Sequence, residues 1–137
     1  SLFQFTNWIN QKLINEKFFV YFGSRKHEKS IVKKKKIRNI LGGIMRFLIL
    51  TILNIKIKDT QCGYKLYKKR IGKLIFSKLK TFDFNHDLEI ILFLKAKNIK
   101  IKELPVKWIH KNNSSLNIFW DPIKMFLGIF LLKFRNF

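Results

Sequence analysis

A short apolar run at residues 18–22 sets the first limit on the fold of this sequence. The run, FFVYF, combines aromatic and β-branched side chains and stops at Gly23, a pattern typical of a buried strand followed by a turn. Such a strand would carry Gly23, Ser24 and Arg25 at its carboxyl end. Because ligands bind beyond the carboxyl ends of strands in open α/β sheets, the sequence predicts a binding site at these three residues.

Helical and strand patterns alternate along the rest of the chain. Apolar residues recur at three- and four-residue spacings in four segments, which predicts helices over residues 3–15, 37–55, 71–79 and 86–97. Strand character is present at residues 64–67 and 99–108, where Pro105 marks an edge or a bulge. Loops are predicted at residues 26–36 and 59–63. No repeat or linker separates these segments, so the sequence predicts one domain.

The formal net charge of +21 is unevenly distributed along the chain. Residues 23–80 hold 18 of the 29 Lys and Arg residues but only two acidic residues, Glu28 and Asp59. A basic segment of this kind attracts an anionic partner, such as nucleic acid, an anionic bilayer or a phosphorylated substrate. An alternative is that part of the charge reflects a composition rich in residues with A/T-rich codons and lies on a solvated surface.

Other features limit the compartment and the relation to a membrane. Cys62 is the single cysteine, which excludes an intrachain disulfide and fits a reducing compartment. The longest apolar region, residues 37–57, is interrupted by charged and amide residues, so it predicts an amphipathic or buried helix rather than a membrane span. The tail at residues 118–137 mixes large apolar and basic residues and could lie on a membrane surface.

Four segments, in this order, resemble the second half of dolichyl-phosphate β-glucosyltransferases and related polyprenyl-phosphate enzymes of glycosyltransferase family 2. They are GSR at residues 23–25, DTQCGYKLY at 59–67, FNHDLE at 84–89, and ELPVKW at 103–108 with Ser115 beyond it. The resemblance implies an α/β fold in which residues 1–137 form the C-terminal part of a GT-A, Rossmann-like domain. A mixed sheet and an amphipathic C-terminal helix are then expected.

The first half of that domain has no counterpart in this sequence. In the family, a nucleotide-binding half ends in an Asp-x-Asp motif that holds a divalent cation, Mg²⁺ or Mn²⁺, on the donor diphosphate. No Asp-x-Asp occurs here, and Ser1 resembles a point just past that motif. The sequence therefore predicts a fragment that is inactive alone, with the cation ligands outside this chain and no metal ligands within it.

The resemblance implies transfer of a sugar, with glucose as the first choice, from a nucleotide sugar such as UDP-glucose to dolichyl or polyprenyl phosphate. The expected location is a membrane surface on its cytosolic side, at the endoplasmic reticulum in a eukaryote or the inner membrane in a bacterium. A mannose-transferring dolichyl-phosphate enzyme is an alternative. A basic, non-enzymatic protein that binds membrane or nucleic acid is another, although no zinc spacing or recognition motif favours nucleic acid as a partner.

The candidate site residues follow from the same segments. Asp87 matches the position of a base-type aspartate in inverting family-2 enzymes, and Asp59 opens the specific loop, so both are candidate catalytic residues. Arginine forks bind phosphate in bidentate fashion, which makes Arg25 and Arg38 candidates for phosphate binding. The complete set of predicted substrate-binding residues is Gly23, Ser24, Arg25, Arg38, Thr60, Gln61, Gly63, Lys65 and Ser115.

Purely structural roles compete with these assignments. Asp59 has the position of a turn aspartate that bonds its own backbone. Asp87 and Glu89 lie at the predicted start of a helix, where the helix dipole stabilises carboxylates. His86 departs from the aromatic or small residue expected at its position in the family. Cys62 is predicted to be packed rather than reactive, because free cysteine usually behaves as a small apolar residue.

Overall fold

The structure is a computed structural model that describes residues 2–33, 43, 46–81, 85–109 and 120–134. Four helices have both ends within these residues: α1 (Leu2–Asn10), α2 (Lys69–Lys78), α3 (His86–Ala96) and α4 (Trp120–Lys133). The strands are β1 (Val20–Ser24), β2 (Ile31–Lys33), β3 (Lys65–Tyr67), β4 (Ile101–Pro105) and β5 (Lys107–Ile109). A further helical segment covers residues 46–52.

Strand β1 forms the centre of a three-stranded sheet in the order β3, β1, β4. Strand β3 runs antiparallel to β1 and pairs Tyr67 with Val20. Strand β4 runs parallel to β1 and pairs Pro105 with Ser24. Because parallel strands end at the same edge of a sheet, Arg25 follows β1 beside the end of β4. The predicted α/β class and mixed sheet are confirmed.

The segment predicted as one strand over residues 99–108 is two strands in different sheets. Strand β4 pairs with β1, and after Val106 the chain continues as β5, which pairs in parallel with β2. Val106 joins the two sheets, because its N–H donates to Ser30 Oγ and its carbonyl accepts from the Ile31 N–H. The prediction of a loop throughout residues 26–36 is wrong at β2, whose three residues are too short to give a strand pattern.

Two predicted helices are shorter in the structure. Helix α1 ends at Asn10 instead of residue 15, because Lys12 turns the chain with a φ of 52°. The helix predicted over residues 37–55 is present at residues 43 and 46–52, and it stops before Asn54, which has a φ of 49°. Residues 53–55 are not helical, and residues 37–42, 44 and 45 of that prediction lie outside the described residues. Helices α2 and α3 agree with the predicted segments to within two residues at each end.

Alternating side chains of β1 build a core on each face of the sheet. Val20 and Phe22 enter the larger core, which also contains buried residues of α2, α3, α4 and the segment after residue 46. Tyr21 enters the smaller core with Trp8 of α1. This division follows from the two-residue period of a strand, which sends successive side chains to opposite faces. Helices on both faces leave the strand ends accessible for a site.

Helix α4 packs on the start of α3 through Gly128. A Cβ atom built at Gly128 would lie 2.0 Å from Asn85 Nδ2, so a larger residue would displace this buried amide. Ile129 and Leu132 of α4 are buried, whereas five large apolar residues of the same helical region are exposed: Phe126, Leu127, Phe130, Leu131 and Phe134. Among the described helices, none combines the length and apolar character needed to cross a bilayer.

Candidate functional site

The end of β1 places the first predicted site residues where the sequence suggested. A Cβ atom at Gly23 would lie 2.6 Å from Val106 Cγ1 and 3.1 Å from Cys62 Sγ, so the close packing here requires glycine. The Gly23 N–H donates to the Tyr64 carbonyl at 2.7 Å. This contact ties the end of β1 to the segment that carries the predicted 59–63 loop. Ser24 is fully buried, so its side chain is part of the packing around the site.

Arg25 and Asp59 form a bidentate ion pair directly beyond β1. Arg25 Nε donates to Asp59 Oδ2 and Nη2 donates to Oδ1, both at 2.7 Å. The Arg25 backbone N–H also donates to Asp59 Oδ2, at 2.8 Å. Two residues that are far apart in the sequence and were predicted separately are therefore direct partners. The guanidinium fork proposed for phosphate faces a carboxylate in this structure.

Two further residues hold this ion pair in place, and we call the four residues Arg25, Asp59, Glu103 and Trp108 the Arg25 cluster. The Glu103 carboxylate on β4 accepts the backbone N–H of Asp59 at 3.1 Å and that of Lys58 at 3.0 Å. The Arg25 guanidinium carbon lies 5.6 Å from the centre of the Trp108 ring, within the range of a cation–π contact. Glu103 was not predicted as a site residue, although it lies in the ELPVKW segment that carries part of the family resemblance.

The charges of the pair shift both pKa values away from their ordinary ranges. Burial acts to raise the pKa of Asp59, but the hydrogen bonds and charge of Arg25 outweigh it and hold that pKa below its usual value. The hydrogen bonds from Arg25 to Asp59 raise the Arg25 pKa further above its usual value, against the opposing effect of burial. Asp59 is therefore an anion at neutral pH, and its two oxygens are engaged by Arg25.

The loop after Asp59 has a buried start and an open end. Thr60 and Cys62 are buried, Gln61 is half-buried, and Gly63 is exposed. Burial raises the pKa of the Cys62 thiol, which agrees with the predicted packed role. A Cβ atom at Gly63 would meet nothing within 4 Å, so space remains for a ligand to approach this backbone. The predicted substrate contacts of Thr60, Gln61 and Gly63 stay predictions.

Asp87 lies in a second polar cluster at the start of α3. Its Oδ2 accepts from Lys65 Nζ at 2.8 Å, and its Oδ1 lies 2.9 Å from His86 Nε2. Lys65 Nζ also donates to the Cys62 carbonyl at 2.7 Å, which connects this cluster to the 59–63 loop. The Asp87 side chain is 13% exposed and the His86 side chain is 46% exposed. The structure thus brings together Asp87 and Lys65, two predicted site residues, and adds His86.

These residues line an open cleft of about 290 Å³, which we call the Asp87 cleft. Its wall includes Lys65, Tyr67, Phe76, His86, Asp87 and Ile90. The rings of Tyr67 and Phe76 meet edge to face, with centres 5.7 Å apart. Burial, with a smaller contribution from the Asp87 charge, raises the pKa of Tyr67, so its hydroxyl keeps its proton. Neither Phe76 nor His86 was singled out as a site residue from the sequence.

Glu89, the other acidic residue in the first turn of α3, has a structural role. Its carboxylate is buried and accepts the backbone N–H groups of Thr81 at 2.8 Å and Lys80 at 3.0 Å. These bonds anchor the segment that follows α2 against α3. Asp87 and Glu89 therefore differ in their surroundings despite their similar sequence positions, because Asp87 lines the cleft and Glu89 does not.

The described carboxylates around the strand ends do not form a metal site. In the described part of the chain, no group of three or more His, Cys, Asp or Glu residues could hold a metal ion. The oxygens of Asp59 and Asp87 face the cationic or imidazole groups of Arg25, Lys65 and His86. A divalent cation does not fit these residues. Two other predicted site residues, Arg38 and Ser115, lie outside the described residues.

An α/β fold with a mixed sheet and a polar site at the strand ends is consistent with part of a GT-A glycosyltransferase domain. Comparison with curated proteins shows which type of glycosyltransferase the chain is similar to. The chain is 32% identical over 117 residues to the dolichyl-phosphate β-glucosyltransferase of Saccharomyces cerevisiae, a match covering 83% of this chain. It is 32% identical over 130 residues to that of Dictyostelium discoideum, and 30% identical over 115 residues to that of Homo sapiens.

These matches confirm the resemblance to family-2 glycosyltransferases of the dolichyl-phosphate β-glucosyltransferase type. The matched regions cover 93% of this chain for the Dictyostelium discoideum protein and 82% for the human protein. The chain spans only 35%, 40% and 36% of the length of the three relatives, in the order given. No family model and no solved structure matches the chain.

Proposed function

We propose that this chain is part of a dolichyl-phosphate β-glucosyltransferase that transfers glucose from UDP-glucose to dolichyl phosphate. The observation that carries the proposal is the similarity to enzymes of that name over more than four fifths of the chain. The reaction is an attack of the acceptor phosphate oxygen on the anomeric carbon, with release of the nucleoside diphosphate. Since phosphate monoesters have a second pKa of about 6, the acceptor is largely ionised at neutral pH.

Such a reaction needs anion neutralisation and positioning more than a strong base. Arg25 suits this need even though it is paired with Asp59. The ion pair uses the Nε and Nη2 donors, and a guanidinium carries five N–H groups in all. The Arg25 side chain is 26% exposed. Asp59 would therefore act as a positioning residue that fixes the direction of the remaining Arg25 donors toward a phosphate.

Asp87 is the candidate for direct action on the substrates. It lines an open cleft, whereas Asp59 is engaged on both oxygens by Arg25. Lys65 and His86 orient the Asp87 carboxylate, an arrangement typical of carboxylates that must be held in one geometry during a reaction. A divalent cation, Mg²⁺ or Mn²⁺, remains part of the proposal, with ligands outside this chain. The 137-residue chain alone is then expected to transfer little or no glucose.

A membrane surface on the cytosolic side is the proposed location, at the endoplasmic reticulum for a eukaryotic source. Support comes from the five exposed apolar residues near the end of α4 and from the basic segment at residues 23–80. Purified chain should float with vesicles containing anionic lipid more than with neutral vesicles, and added salt should weaken the binding. Equal binding to both vesicle types, or preferential binding to single-stranded RNA, would contradict this location.

The central experiment is a chimera in which this chain replaces the matching 117 residues of the Saccharomyces cerevisiae relative. Membranes containing the chimera should form glucosylated dolichyl phosphate from UDP-glucose, and a Glu28→Gln variant should retain this activity because Glu28 is exposed. A folded chimera that is present at the level of the yeast protein but transfers no glucose would overturn the proposal. Product from GDP-mannose but not from UDP-glucose would favour the mannose alternative.

A further inference from the structure

The Asp87 cleft has a balance of charge that restricts its ligand. Lys65 and Asp87 neutralise each other through a contact of 2.8 Å, and both side chains are largely buried. Their pairing leaves a cleft with many hydrogen-bonding groups but little net charge. Among the described residues that line the cleft, the only lysine or arginine is Lys65, which is already paired with Asp87. A free phosphate or diphosphate would thus meet the Asp87 carboxylate without a second such cation to offset it, which is unfavourable. The cleft therefore suits a neutral, polar ligand better than an anion.

The other wall of the cleft adds an apolar surface. Phe76 is 59% exposed, lines the cleft, and contacts Tyr67 in an edge-to-face pair. The faces of aromatic rings carry partial negative charge and attract the C–H groups of a pyranose ring. Ile90 extends this apolar wall. A volume of about 290 Å³ is at the small end of ligand pockets and is sufficient for one sugar ring.

We propose that the Asp87 cleft binds the hexose ring of the donor, with Phe76 as its apolar platform and Asp87, His86 and Lys65 as hydrogen-bonding partners of its hydroxyl groups. This inference rests on the proposed glucosyltransferase function and adds the place of the sugar. Hydroxyl groups both donate and accept hydrogen bonds, so they match a cluster that contains a carboxylate, an imidazole and an ammonium group. A sugar held here would have its ring beside Asp87.

The test uses the purified, isotopically labelled 137-residue chain and methyl β-D-glucopyranoside, followed by NMR. We expect saturable shifts in the resonances of Phe76 and His86. Phe76→Ala should weaken binding roughly fivefold, since an aromatic contact contributes about 1 kcal/mol, which is about fivefold in affinity. Phe76→Trp should restore it. The matched control is Phe3→Ala, which removes another exposed phenylalanine that does not line the cleft.

Several results would overturn the inference. They are the absence of saturable shifts with the glucoside, shifts with inorganic phosphate alone, and equal weakening by Phe76→Ala and Phe3→Ala. Because Phe76 is exposed, its replacement should leave the far-ultraviolet circular dichroism unchanged. This binding assay separates the inference from the proposed function. If the glucoside binds in the cleft but the chimera is inactive, the proposed function is rejected and sugar binding by the cleft is retained.

The opposite case, an active enzyme whose donor sugar does not bind in the Asp87 cleft, can be recognised from the kinetics of the chimera. If the cleft holds the donor sugar, Phe76→Ala should raise the KM for UDP-glucose roughly fivefold while the KM for dolichyl phosphate stays unchanged. An active chimera whose KM for UDP-glucose is unaffected by Phe76→Ala would remove the inference and keep the proposed function.

Discussion

The Arg25 cluster and the Asp87 cleft contain similar charged groups, but the Asp59 carboxylate is enclosed whereas the Asp87 carboxylate borders an open cleft. Both contain an aspartate paired with a cation at a distance below 3 Å. In the Arg25 cluster, the fork of Arg25 occupies both oxygens of Asp59, whose side chain is 7% exposed. In the Asp87 cleft, the cation is a single ammonium group, and the carboxylate borders open space. The 59–63 loop contributes to both, through Asp59 and the Cys62 carbonyl.

The comparison shows how the cation that pairs with an aspartate affects the role available to that aspartate. An arginine fork matches the two oxygens of a carboxylate, so the pair is rigid and its aspartate has little capacity left for a substrate. A lysine contributes one point of positive charge and leaves the second oxygen for another partner, here His86. This geometry is the basis of the proposed division, in which Asp59 is a positioning residue and Asp87 contacts a substrate.

The largest expected effect is on catalysis by the chimera. Asp87→Asn should lower kcat about a hundredfold, at the low end of the range for acid–base assistance, because the acceptor phosphate is already an anion. The loss should fall on kcat more than on the KM for the donor, because the amide side chain of this variant can still hydrogen-bond to a hexose hydroxyl whereas the charge needed in the transition state is removed. Steady-state kinetics with UDP-glucose and dolichyl phosphate provide the measurement. A loss below threefold in folded protein would show that Asp87 only stabilises the start of α3.

The next effect is on stability, and here the larger loss is expected in the Arg25 cluster rather than in the Asp87 cleft. Asp59→Asn should lower the free energy of unfolding by about 2 kcal/mol, because it leaves the partly buried Arg25 without its anionic partner. Chemical denaturation of the 137-residue chain measures this change, with the exposed Glu28→Gln as the control. If Asp87→Asn destabilised the chain more than Asp59→Asn, the assignment of Asp59 as the positioning residue would be wrong.

The sequence predicted two members of the Arg25 cluster, Arg25 and Asp59, as site residues, but it predicted neither their pairing nor a site role for Glu103 and Trp108. Residues 18–22 and the glycine after them were sufficient to place Arg25 at a strand end, since both signals are local. The partnership with Asp59 depends on a separation of 34 residues, and the support from Glu103 depends on β4 lying parallel to β1. Such long-range contacts follow from the packing of the sheet, which a single sequence pattern does not specify.

The Asp87 cleft was less predictable for a different physical reason. Asp87 and Lys65 were selected through their motifs, whereas Phe76 lies on a helix where an apolar residue is normally assigned to the core. Only the structure shows that Phe76 is exposed and beside Tyr67. The strand β2 was missed because it has three residues and is defined by its pairing with β5.

A smaller effect should be visible as a dependence of stability on pH. The pKa of Asp59 is lower in the folded chain than its ordinary value of 3.8, so the folded state binds this proton less readily than the unfolded state. The resulting stabilisation is fully present above pH 3.8 and is lost as the pH falls through the folded-state pKa. The difference in unfolding free energy between wild type and Asp59→Asn should therefore narrow as the pH is lowered below 3.8. If the difference in unfolding free energy between the two proteins stayed constant down to about pH 2, the ionised Asp59 carboxylate would not be its cause.

The smallest expected effect comes from exchanging the cation in the Arg25 cluster. Arg25→Lys keeps the positive charge opposite Asp59 but loses the second hydrogen bond of the fork and the planar contact with Trp108. The free energy of unfolding should fall by only about 0.5 kcal/mol, because the charge compensation is retained. Thermal or chemical denaturation can resolve this change against Arg70→Lys, which alters an exposed arginine of α2 and should have no measurable effect. A loss as large as that of Asp59→Asn would mean that the fork geometry, rather than the charge, stabilises the cluster. The two clusters would then differ by geometry more than by burial.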